Sequence, residues 1–71
     1  MRYKGYDVEP SALALPSGLF AANLIIGRGA AGHAASLTFD ALDYFFEAEH
    51  AIAYAWRWAR LWIDQQGKRA G

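Results

Sequence analysis

Residues 47–66 read EAEHAIAYAWRWARLWIDQQ, and the spacing of their apolar side chains decides the fold. At 100° per residue, Ala48, Ala51, Ile52, Ala55, Trp58, Ala59, Trp62 and Ile63 fall within one broad arc, with Glu49, His50, Ala53, Arg57, Arg60 and Asp64 opposite. The pattern predicts a long C-terminal helix over about 47–66. Its ends agree: Glu47 and Glu49 complement the positive N-terminus, while Gly67 supplies a stop and Lys68 and Arg69 place cations at the negative end. Alanines interleaved with tryptophans on the apolar arc suit a helix lying close against a sheet. The small residues let the backbones approach, and the large rings fill the hollows left by sheet curvature.

The residues upstream supply that sheet. Tyr6 and Val8 alternate with Asp7 along an extended segment, with Tyr3, Gly5 and Asp7 on its other face, and Pro10 implies an edge position or an interruption. Ala12 to Leu15 runs into Pro16-Ser17-Gly18, where proline suits the first central turn position and glycine accepts positive φ. Phe20, Ala22, Leu24 and Ile26 then face one way, and Leu19, Ala21, Asn23 and Ile25 the other. After a Gly/Ala-rich loop over residues 27–35, the segment 36–45 reads as a third strand with a bulge near Asp40-Ala41. The expected fold is α+β in one domain over 1–71: an antiparallel β-β-β sheet, with strands at about 3–14, 19–28 and 36–45, covered on one face by the helix.

Composition bounds what such a domain can do. Seventy-one residues with 55% hydrophobic content, three Trp, four Tyr, four Phe and no Cys allow one small core without a disulfide framework or thiolate zinc site. A chain of this size buries only about 60% of its unfolded surface, so stability depends on packing quality or on a partner. Seven basic and seven acidic residues balance, which argues against a protein that tracks a phosphate backbone. The apolar stretch 11–26 is broken by Pro16-Ser17-Gly18 and Asn23 and follows Asp7 and Glu9 rather than a basic segment, so neither a signal peptide nor a membrane span is read. A soluble, cytoplasmic protein is expected.

No constellation of catalytic or cofactor-binding residues stands out. Glu47 and His50 share a helix face at i,i+3, but helix-borne metal sites of that kind recruit carboxylates from further helices, and only one helix is read here. His33 has no nucleophile with a recognisable setting beside it, since Ser11, Ser17 and Ser36 carry no signature. Gly27, Gly29 and Gly32 spell GxGxxG, yet that fingerprint needs a strand–turn–helix context within a βαβ unit, and a strand follows instead. Asp40, Asp43 and Glu47 could form an acidic cluster for acid/base work, but so small a domain offers little concavity, and Asp43 and Glu47 suit the strand-to-helix corner and favour the helix start. No cofactor, no metal and no enzymatic activity are expected.

The informative residues are the surplus aromatics. Tyr54, Trp56 and Leu61 lie beyond the centre of the buried arc, and Tyr3, Leu19 and Ile25 fall on the sheet face that the helix leaves open. Either a twisted sheet wraps round to cover the helix flanks, or these six residues form an interface with a second copy or one protein partner. Arg57 and Arg60 form a candidate basic patch, although Arg60 stands i,i+4 from both Trp56 and Asp64 and can engage them within its own helix.

Tyr6 to Val8, the hairpin around Pro16-Ser17-Gly18, Leu24-Ile25-Ile26, Phe39 and Ala51 to Asp64 together resemble small uncharacterised bacterial proteins built as a β-meander followed by one helix. The strand order is also similar to that of HicB-type antitoxin domains, in which a β-β-β-α unit binds a small toxin. The first resemblance implies a fold only. The second implies a regulatory domain that binds an RNA-targeting protein or nucleic acid. Composition and the surplus aromatics favour a non-enzymatic interaction domain that forms a homodimer or docks on one protein partner.

Overall fold

The computed structural model describes residues 1–28 and 35–70, and the side chains of 1–28 and 36–66. Its elements are β1 (Arg2–Tyr3), β2 (Tyr6–Ala14), β3 (Phe20–Arg28), β4 (Ala35–Phe39), β5 (Tyr44–Phe45) and α1 (Ala48–Ala70). The chain is α+β, an antiparallel sheet with one C-terminal helix. Among the described residues the strands number five rather than three, in the order β1-β2-β3-β4 with β5 also on β3.

The first added strand comes from a turn that replaces the expected continuous strand from Tyr3. Lys4 and Gly5 both take positive φ, 49° and 86°, as a two-residue type I′ hairpin requires. The chain therefore reverses, and Tyr3 lies opposite Tyr6. Directly opposed residues share a face, so Tyr3 sits on the helix side of the sheet and not on the open face where strict alternation put it.

The second addition comes from the bulge expected near Asp40-Ala41. Leu24 lies opposite Phe39, whereas Ala21 lies opposite Tyr44. Two residues of β3, 22 and 23, thus face four, 40–43, and the strand expected over 36–45 divides into β4 and β5. The Asn23 side chain accepts from the Ala41 N–H at 2.8 Å. Ala22 donates to Asp43 C=O at 2.9 Å and accepts from Leu42 N–H at 2.8 Å. Because the surplus is even, Phe39 and Phe45 stay on the same face.

The β2–β3 hairpin follows its expectation. Gly18 N–H donates to Leu15 C=O at 3.0 Å across Pro16-Ser17, and Gly18 takes φ 94°, a β-turn closed by a left-handed glycine. Val8, Ala22, Leu24 and Ile26 on the sheet meet Ala51, Ala55, Ala59 and Ile63 on α1 in one buried cluster. The helical members recur every fourth residue, and three are alanine, so α1 lies down on β3 along a smooth row. Trp58 tilts on Phe39 at 4.7 Å between centroids, Tyr54 on Phe45 at 5.3 Å, and Trp62 meets Tyr6 edge-on at 6.2 Å. The helix begins at Ala48 rather than Glu47 and continues through Gly67 to Ala70, so Gly67 is no stop. No helix among the described residues is long and apolar enough to cross a membrane.

Candidate interaction surface

The six candidate interface residues divide by their surroundings. Trp56 packs edge-on against Tyr3 at 5.9 Å, and the Arg60 guanidinium lies 5.3 Å over its ring. Tyr3 also donates its hydroxyl to Asp64, 2.9 Å to Oδ1. Lys4 Nζ reaches the same oxygen at 2.7 Å, and the Lys4 ammonium is held above its ordinary pKa, first by that hydrogen bond and next by the charge of Asp64. Tyr3, Tyr54 and Trp56 are half-buried, covered because the β1–β2 hairpin and β5 wrap the two flanks of α1. Leu61 stands apart, 56% exposed.

On the open sheet face, Ile25 is 39% exposed, between the polar cross-strand neighbours Glu9 and Thr38. Leu19 is half-buried beside the hairpin turn. The apolar part of this face is a corner where Leu13 and Tyr44, both exposed, flank the buried Ala21.

The helix flank over β4 carries a second apolar band, and sequence reasoning identified only Leu61 within it. Leu37 on β4 is 48% exposed, although its partner in the ladder is the buried Ile26. The Trp62 ring separates two shallow grooves. One, of about 320 Å³, is lined by Tyr6, Ile26, Arg28, Leu37, Trp62 and Gln66. The other, of about 220 Å³, is lined by Trp58, Leu61, Trp62 and Gln65. Arg28 is anchored at the rim of the first, donating to the Tyr6 hydroxyl at 3.1 Å with its guanidinium 5.1 Å from the ring centre. Leu37 was assigned to a strand and not to a surface because periodicity cannot show where the helix stops covering the sheet.

The remaining candidates take ordinary positions. His50 Nδ1 lies 3.9 Å from Glu47 Oε2 with both side chains exposed. Among the described residues no group of three or more His, Asp or Glu could hold a metal ion. Arg57 and Arg60 are both exposed on α1, and the Arg60 guanidinium also lies over the Trp56 ring. His33, Gly29 and Gly32 lie outside the described residues. Searches of protein-family models, curated proteins and solved structures return no match to this chain.

Proposed function

We propose that this chain is a non-enzymatic interaction domain that self-associates through the helix flank over β4. The observation that carries this reading is the band Leu37, Trp58, Leu61 and Trp62, in which two exposed leucines border two half-buried tryptophans. An apolar centre rich in aromatic residues, with polar groups such as Arg28, Gln65 and Gln66 at its rim, is the composition of interface cores. Mass measured by light scattering across a concentration series tests the proposal. Twice the chain mass, reverting to one chain mass in Leu61→Lys, is expected; a chain that stays monomeric throughout removes it.

A further inference from the structure

The band adjoins a sheet edge, and the two edges of this sheet are built differently. Ala22 sends both its N–H and its C=O toward the β4–β5 side. In an antiparallel ladder that direction alternates, so Leu24 and Ile26 of β3 bond inward to Phe39 and Leu37 of β4, their register partners. The backbone groups of Ser36 and Thr38 therefore point away from β3, and among the described residues no strand lies beyond them.

On the opposite edge, Val8 uses its outward groups on Met1, accepting from the Met1 amine at 2.9 Å and donating to its carbonyl. By the same alternation the next outward position on β2 is Pro10, which has no N–H to offer. That edge is blunted. The β4 edge, Ala35-Ser36-Leu37-Thr38-Phe39, holds neither proline nor charge, the usual protections of a free edge.

We infer that β4 pairs antiparallel with β4 of a second copy of this chain, in a register centred on Leu37. This rests on the self-association proposed above and specifies its geometry. Centring on Leu37 sets Ser36 of each chain opposite Thr38 of the other, so all four outward N–H and C=O pairs are satisfied. The two Leu37 side chains then meet as a non-hydrogen-bonded pair with Cα atoms about 4.5 Å apart. They meet on the helix side, where Trp58, Leu61 and Trp62 of both copies close over them. An uncharged strand brings no like charges together across the two-fold axis. The product is one continuous sheet with two helices on the same face.

Thr38→Pro and Leu37→Cys test the geometry in the full chain. Thr38→Pro removes an outward N–H and leaves the intrachain ladder intact, so a folded monomer is expected, judged by circular dichroism and light scattering. The chain has no cysteine of its own, so Leu37→Cys supplies a single thiol at a spacing a disulfide can span. It should oxidise to the covalent dimer at least tenfold faster than Leu13→Cys, a comparably exposed position on β2. If the chain dimerises but Leu37→Cys links no faster than Leu13→Cys, or folded Thr38→Pro still dimerises, the β4 pairing is overturned and self-association stands. If the unsubstituted chain is monomeric, both fall. Should Thr38→Pro not fold, the cysteine comparison decides alone.

Discussion

Pro10 lies opposite Leu24 in the β2–β3 ladder, and this register turns the one strand position without an N–H toward the outside of the sheet. Leu24 is fully buried beneath α1 and sends its own backbone groups the other way, to β4. One cross-strand pair thus anchors the core and blunts the β2 edge.

Pro10→Thr restores the missing donor. The fold should survive, since the intrachain ladder gains and loses nothing at that position. With both edges open, however, pairing no longer closes on a two-fold axis, and non-closing contacts propagate into filaments. Light scattering of Pro10→Thr should rise steadily with time at concentrations where the parent chain holds a constant mass. A constant mass would show that Pro10 does not guard the edge.

The alanine row fixes how closely the helix approaches the sheet. Ala55 has no exposed surface, so Ala55→Leu must push α1 off β3 and should cost about 1–3 kcal/mol. Ala53→Leu, on the exposed side of the same helix, should change stability by less than about 0.5 kcal/mol. Urea unfolding of the two variants gives the comparison, and equal midpoints would contradict the assigned packing face.

The Tyr3 hydroxyl ties β1 to the helix 61 positions away. Tyr3→Phe keeps the ring against Trp56 and removes only the bond to Asp64, so a loss of about 0.5–1.5 kcal/mol with an unchanged urea m-value is expected. A loss larger than that would mean the substitution had also displaced the ring.

Lys4 provides the pH dependence. Its pKa is raised in the folded state by Asp64, so its contribution is complete below the unfolded lysine value of about 10.4 and fades as pH rises through the higher folded value. The effect is small because the ammonium is solvent-exposed. Unfolding midpoints of the parent chain and Lys4→Met should therefore keep a steady gap at lower pH and converge over the window that opens at about pH 10.4, the unfolded lysine value. A gap that stays constant over that window would show that the Lys4–Asp64 pair carries no stability.

These effects also mark how far the fold was legible from residues alone. The helix was legible because Ala48, Ala51, Ile52, Ala55, Trp58, Ala59, Trp62 and Ile63 recur at mixed three- and four-residue spacings that a strand's two-residue period cannot place on one face, and the hairpin because Pro16 and Gly18 occupy turn positions that favour them. Tyr3 was misplaced because two-residue turns are signalled most clearly by Asn-Gly or Asp-Gly. Here Lys4 takes the first left-handed position, and only Gly5 hints at it. The split of the third strand was half legible: Leu42 and Tyr44 disturb the alternation, but the stabilising bond, from the Ala41 backbone to Asn23, joins residues 18 apart. Gly67 was read as a stop, yet glycine within a helix costs only about 1 kcal/mol, which does not by itself end one. For the candidate surface, Leu61 was visible as an apolar residue off the buried arc. Leu37 was not, because its exposure depends on where α1 crosses β4.

Amide hydrogen exchange of the unsubstituted chain tests the central claim most directly, because Ala12 on the blunted edge supplies an internal reference: like Ser36 and Thr38, its N–H points away from β3. If two copies join through β4, the Ser36 and Thr38 amides exchange far more slowly than Ala12 in concentrated solution and lose that protection on dilution below the dissociation constant. If Ser36 and Thr38 exchange as fast as Ala12 while the chain has twice its monomeric mass, the copies meet elsewhere and the β4 edge is not the interface.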